Sequence, residues 1–382
     1  MKKIAILVFF TVGFFVHVWA CTGLIAGKQA TVDGSVLVTY SADSHTLYGA
    51  LTSSPAADWP KGSMRSIVEW DTNKPLGEIE QVEHTYAVMG NMNEHQLTVV
   101  ESTWGGRPEL VDTTGIIDYG SLMQLALERA KTAREAIKVM TGLVKKYGYY
   151  SSGESFTIAD PNEAWILDLI GKGPGRRGAV WVAVRIPDDC IAGHANYPRI
   201  HKIPMDDKEN CLYSPDVISF AREMGYFDGL NKDFSFARAY SPADFGALRA
   251  CDARVWSFFR KYDSTMDNYL PYVNGESAEP FPLYVKPSRK LSVQDMKEAM
   301  RDHFEDTPFD MTQDVGAGPF KVPYRFRPMS FEVDGKSYCM ERAIATQQTG
   351  FTLVGQMRNW LPDPVGGVLW FGVDDANTCV YI

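Results

Sequence analysis

Residues 18–43 read VWACTGLIAGKQATVDGSVLVTYSAD, and this stretch decides the fold. Two apolar, β-type runs flank Asp33-Gly34. Asp-Gly between such runs is a hairpin signal, because glycine adopts the positive φ of a tight reversal at no steric cost. The chain after Ala20 therefore starts inside a strand, where Cys21 is held and not frayed.

Upstream, residues 1–20 read MKKIAILVFFTVGFFVHVWA. Lys2 and Lys3 form a positive n-region, Ile4 to Val16 is almost wholly apolar, and Val18-Trp19-Ala20 ends on small residues at the −3 and −1 positions. This is the pattern of a secretory signal peptide. The apolar run is short of the roughly 20 residues that a membrane-spanning helix needs. Cleavage after Ala20 exposes Cys21 as the new N-terminus. Three chemistries meet there. Cys21 is a nucleophile with its own α-amine as base, or it is acylated as a lipoprotein anchor, or it is a disulfide cysteine behind a different cut. The other cysteines, Cys190, Cys211, Cys251, Cys339 and Cys379, are widely and irregularly spaced, with no Cys-x-x-Cys pair to suggest zinc or redox chemistry. Five is an odd number, so at most two internal disulfides form, and this is not a disulfide-built scaffold.

The composition fits a globular protein: 382 residues, 45% hydrophobic and 22% charged. Lys+Arg total 38 against Asp+Glu 47, a formal net charge of −9 that becomes more negative when Lys2 and Lys3 leave. No electrostatic footprint for nucleic acid exists. The length suits one large or two ordinary domains, and with no linker, repeat or low-complexity tract, residues 21–382 read as one domain. Strand-like runs recur at 80–88, 97–103, 155–159, 164–170 and 179–184, and again at 330–333, 337–346, 351–357, 367–372 and 378–382. A single long amphipathic helix is expected over 119–147, with Leu122, Leu125, Ala126, Ile137, Met140 and Val144 at three- and four-residue steps and Gly148 as its stop. Further helices are expected at 215–224, 242–261 and 293–304, and 262–290 is Pro-rich and irregular. Strict βαβ alternation is absent, so a doubly wound parallel sheet is disfavoured. The expectation is an α+β fold of stacked, mostly antiparallel sheets with helices outside.

The order leader, Cys, hairpin, Asp43 closely resembles the cysteine-type N-terminal nucleophile hydrolases, and within them the C69 family of dipeptidases. The matching stretches are 21–43, ERAKTAREAIKVMTGLVKKYG at 128–148, FTIADPNEAWILDLIG at 156–171, WVAVRIPDD at 181–189, HANYPRI at 194–200, RAIATQQTGFTLVGQMRNWLPD at 342–363 and GGVLWFGVDDANTCVYI at 366–382. The resemblance implies a four-layer αββα sandwich and hydrolysis of short peptides by Cys21. Family members usually continue past the last of these motifs, so part of the C-terminal fold is expected beyond Ile382.

Independently of the resemblance, the chemistry of an N-terminal cysteine is self-sufficient. A free thiol titrates near about 8.5 and an α-amine near about 7.7–8.0, so one residue supplies nucleophile and base. The resemblance implies that Asp43 orients the terminal amine and thiol, and that Asn196 is an oxyanion donor, a role for which a neutral, preorganised amide is suited. Arg254 roughly matches a further arginine of the superfamily that includes bile-salt hydrolases and penicillin V acylases. Where that superfamily carries an arginine three residues before the aspartate, this chain has Tyr40, a departure that speaks against bile-salt or penicillin-type substrates. Glu101, Ser102 and Thr103 fall near a superfamily oxyanion position but lack its asparagine. Asn91, Asn93 and Glu94 read as a turn, His194 as a packed histidine, and Gly171–Gly175 as a hairpin loop and not a phosphate loop. The expected function is a secreted or periplasmic cysteine dipeptidase. It needs no metal or organic cofactor and binds no nucleic acid. It acts on dipeptides or short peptides and depends on signal peptidase for maturation, with homo-oligomer formation left open. The alternatives are an amidase or acylase for non-peptide amides, and, in another class, a lipid-anchored surface binding protein acylated at Cys21.

Overall fold

Thr22–Ala26 (β1) and Val36–Asp43 (β2) pair antiparallel in the register Thr22↔Ser41 to Ala26↔Leu37, and both are buried along their whole length. Each is covered on both faces, which is why neither alternates apolar with polar. The connection is longer than a two-residue turn. After β1, Gly27 and Gln29 donate to the carbonyls of Cys190 and Asp188, and only then does the chain reverse through Gly34 at φ +83. The structure, a computed structural model, describes residues 21–44, 47–325, 330–339 and 341–382. The leader expected at 1–20 lies outside the described residues.

Further strands are Thr98–Trp104 (β3), Gly153–Ala159 (β4), Ala164–Gly171 (β5), Ala179–Ile186 (β6), Ile191–His194 (β7), Thr349–Met357 (β8) and Gly367–Val373 (β9). A six-stranded sheet runs Tyr284–Val285, β7, β1, β2, β8, β9, and every pairing in it is antiparallel. An eight-stranded sheet runs Cys211–Tyr213, β6, β5, β4, β3 and then three two-residue strands at 92–93, 88–89 and 53–54. The helices that cover these sheets are Tyr119–Arg129 (α1), Ala133–Tyr147 (α2), Ala253–Arg260 (α3) and Val293–Ala299 (α4). One core cluster joins Val36, Val38 and Leu353 of the first sheet to Val100, Ile166 and Val182 of the second. Another joins Leu24, Leu37 and Val354 to Val255, Phe258 and Met296 of α3 and α4. A third joins Val99, Ile158 and Leu167 to Leu122, Ala126 and Met140 of α1 and α2. Each fully buried side chain of this size contributes about 1.5–3 kcal/mol. The fold is thus α+β with antiparallel sheets, as expected.

Several elements differ from the expectation. The long helix is two. Ala130 and Thr132 are extended, Thr132 accepts from Glu135 N as an N-cap, and Asp160 accepts from Ala133 N. Asn93 donates to the Leu127 and Ala130 carbonyls and closes α1. These side chains satisfy both broken ends, so the periodicity continues across a bend. The run at 80–88 is cut into short strands, 242–261 is helical only from Phe245 onward with a π-turn at Ala247–Asp252, and 337–346 is a strand only to Cys339. Residues 378–382 form no strand of their own. Asp374 at φ +72 and an Asp375 turn reverse the chain, which leaves Ile382 to exchange two backbone bonds with Phe371. The loop after Gly171 does join β5 to β6 as a hairpin. Among the described residues, no helix is long and apolar enough to cross a membrane.

Candidate active site

Cys21 stands immediately before β1, 5% exposed. Its strand passes β7 so closely that a Cβ on Gly23 would come within 2.8 Å of the His194 ring, so only glycine fits there. The Cys21 thiol lies 3.7 Å from the Tyr40 hydroxyl. Burial pushes this thiol well above its ordinary value, and the charges of Glu101 and Asp43 add to the shift against the Asp43 backbone N–H and the Tyr40 hydroxyl. Burial thus favours the protonated thiol.

Arg254 ties the site together. It enters from α3, is 1% exposed, and follows the π-turn whose Ala250 carbonyl accepts from its Nε at 2.8 Å. Its Nη1 donates to the Cys21 carbonyl at 2.9 Å and to Thr22 Oγ1 at 2.7 Å, while Nη2 donates to Asn196 Oδ1 at 2.7 Å and to the Ala195 carbonyl at 3.2 Å. Burial and then Arg342 lower its pKa to about 10, so it remains charged at neutral pH. Asn196 has φ 58, a left-handed conformation that asparagine tolerates better than most residues. Its backbone N–H donates to Ser102 Oγ at 3.2 Å, and its Nδ2 donates to the Thr103 carbonyl. Ser102 is fixed in turn by His194, whose ring nitrogens contact Ser102 Oγ at 2.6 Å and Thr157 Oγ1 at 2.8 Å. Burial, with Arg254 and Arg199, lowers His194 to about 3, so the ring is neutral and structural.

Asp43 ends β2 with its carboxylate held by Arg342, by Thr349 Oγ1 at 2.6 Å and by Ser41 Oγ at 3.2 Å. The structure thus joins Cys21, Asn196 and Arg254 in one hydrogen-bonded unit and sets Asp43 beside it as a charge acting on the thiol. Asn91 donates to the Val99 carbonyl at 2.9 Å and lines the neighbouring cavity, whereas Asn93 and Glu94 serve the turn and the end of α1. Sequence reasoning treated Tyr40 only as a departure and did not weigh Arg342, Tyr119 or Thr349 for the site. Tyr40 donates to Glu101 Oε1, and both line a cavity of about 160 Å³ that also reaches Cys21, Asp43, Tyr119 and Phe351. The one signal that pointed there was a glutamate inside the apolar strand TVVESTW. Among the described residues, no group of three or more His, Cys, Asp and Glu side chains is arranged to hold a metal ion.

Comparison with known proteins adds to this geometry. The profile described as "Peptidase family C69" matches residues 20–382. The "Probable dipeptidase" of Salmonella dublin is 28% identical over 390 residues, covering 95% of this chain and 80% of that protein. The "Probable dipeptidase" of Latilactobacillus sakei is 25% identical over 386 residues, covering 95% and 73%. "Dipeptidase A" of Lactobacillus helveticus is 25% identical over 382 residues, covering 94% and 74%.

Proposed function

The chain belongs to peptidase family C69, and from that premise we propose that it is an exported cysteine dipeptidase whose nucleophile is the Cys21 thiol. The single observation that carries the reading is the Arg254 fork, which holds the Cys21 carbonyl and the Asn196 carboxamide in one rigid unit. A nucleophile and an oxyanion donor positioned together are what acyl transfer requires.

In this reading the leader of residues 1–20 is removed after Ala20, and residues 21–382 are one peptidase domain with the four-layer αββα arrangement of N-terminal nucleophile hydrolases. While Cys21 N is an amide its lone pair is delocalised into the carbonyl and accepts no proton, and the buried thiol stays protonated. Cleavage turns that nitrogen into an amine. The amine takes the thiol proton as sulfur attacks the scissile carbonyl, and Asn196 Nδ2 and a backbone N–H receive the oxyanion. The amine then passes the proton to the leaving amino group, and water clears the acyl-enzyme. Asp43, anchored by Arg342 and Thr349, keeps the amine oriented. The protein acts beyond the membrane, in the periplasm or outside the cell.

Two measurements test this. The intact mass and N-terminal sequence of protein secreted with its leader are expected to show an unmodified Cys21 first. Cys21→Ser is expected to lower dipeptide hydrolysis by about 10³-fold or more. A lipid-shifted mass, or hydrolysis that survives Cys21→Ser, would sink the reading.

A further inference from the structure

Glu101 is 1% exposed, and no cation lies among the residues that line its cavity. Oε1 accepts from the Tyr40 hydroxyl, and the other carboxyl oxygen has no donor among the described residues besides the neighbouring carboxyl of Glu154. Glu154 is 0% exposed, and its own carboxyl meets Tyr149 and the Glu101 carboxyl. Burial and then the Glu101 charge push Glu154 well up, and a side-chain hydrogen bond between the two carboxyls adds to that shift. A proton shared between them brings no positive charge. Among the described residues no ion pair reaches Glu101, and the cavity it lines contains no Lys, Arg or His. Behind Tyr119, which also lines the cavity, Asp71 accepts from the Tyr119 hydroxyl at 2.8 Å. A buried carboxylate without a cation is costly unless something arrives to pair with it.

We propose that Glu101 anchors the α-ammonium group of the substrate, which restricts hydrolysis to the first peptide bond of peptides with a free amino terminus. The assignment rests on the reading of Cys21 as nucleophile. The geometry favours the first bond. A single hydroxyl, that of Tyr40, separates the Glu101 carboxylate from the Cys21 thiol. Within an amino acid the nitrogen and the carbonyl carbon are only about 2.5 Å apart, and an attacked carbonyl sits about 3–3.5 Å from its nucleophile. An ammonium on Glu101 therefore sets the carbonyl of the same residue at sulfur, and the next carbonyl lies one residue too far. The other candidate cation is the α-amine of a cleaved Cys21 itself. That group must be neutral to take the thiol proton, and pairing with a buried carboxylate would keep it charged.

The test compares Ala-Ala with propionyl-Ala, which has the same scissile bond and no amine, on the mature enzyme. Wild type is expected to prefer Ala-Ala in kcat/KM by about 30-fold or more, the scale of an unpaired buried charge. Glu101→Gln is expected to collapse that ratio, with a ligand-free thermal midpoint no lower than wild type. A wild-type ratio near one, or an unchanged ratio in Glu101→Gln, overturns the assignment and leaves the nucleophile reading standing. Equal losses on both substrates leave the ratio unchanged, and so count against the substrate ammonium and for the Cys21 amine. Activity that survives Cys21→Ser overturns both. If Glu101→Gln does not fold, Glu101→Asp withdraws the carboxylate by one methylene. The ratio must then shrink, and an unchanged one overturns the proposal.

Discussion

The helix-covered face of the eight-stranded sheet has two ends built from the same strands. At one end β3 and β4 present Val99 and Ile158 to α1 and α2, with Leu167 of β5 beside them. Two to four residues along, the same face of β3 and β4 carries Glu101 and Glu154, next to Tyr149 and, across the cavity, Tyr119. Both ends are buried, but they are buried at different cost. The apolar end gains from every contact. The acidic end holds two carboxyls against each other, in a place where hydrophobic residues would pack at less cost. Such a difference within one face indicates that the acidic end is kept for chemistry and the apolar end for stability.

Substitutions at each end test that division. The largest effect is expected at the apolar end, where Leu167→Ala lowers unfolding free energy in urea by about 2–5 kcal/mol while kcat of the folded fraction is retained. A comparable loss of kcat would break the comparison. Beyond the apolar end, beside Leu97, Asn93→Ala strips the Leu127 and Ala130 carbonyls of their donor and leaves them buried. The expected cost is about 1–3 kcal/mol, read as a lower urea midpoint with amide exchange quickened at the close of α1. At the acidic end the sign reverses. Glu154 keeps its proton in the folded protein at pH values where the unfolded chain has released it. The contribution of Glu154 to stability therefore falls as pH rises above about 4.5, by at most about 1.4 kcal/mol per unit. Glu154→Gln is expected to flatten that decline and to raise stability slightly at pH 7. A variant that follows the wild-type pH curve would show that Glu154 does not hold the proton.

The sequence made the apolar end legible, because its side chains repeat at the helix period and the strands around them are apolar runs. The β1–β2 pair was legible from Asp33-Gly34, and Cys21, Asp43, Asn196 and Arg254 were candidates from resemblance. What escaped was set by long-range contact. Arg342 reaches Asp43 across 299 positions and Tyr40 reaches Glu101 across 61, and no local pattern encodes either bond. The break between α1 and α2 was present in Thr132 and Glu135, but the heptad-like spacing on both sides masked it. In the sequence Arg254 was one arginine within the helix expected at 242–261. Only the fold shows that it is buried with its guanidinium on the Cys21 carbonyl.

The position of β1 also bears on timing. Thr22–Ala26 is wholly buried and paired on both sides, by β2 and by β7. A protease that cuts before Cys21 needs the residues after the bond extended and accessible in its own cleft. Once β1 is docked, those residues are committed to the sheet. If a leader is cut at this point, as proposed, its removal must therefore precede closure of the six-stranded sheet, and the order of the two events would decide whether the chain folds with a free amine at Cys21 or is trapped with an inert one. In that proposed reading, a delayed cut would produce a well-folded protein with no catalytic base, a defect invisible to any measure of stability.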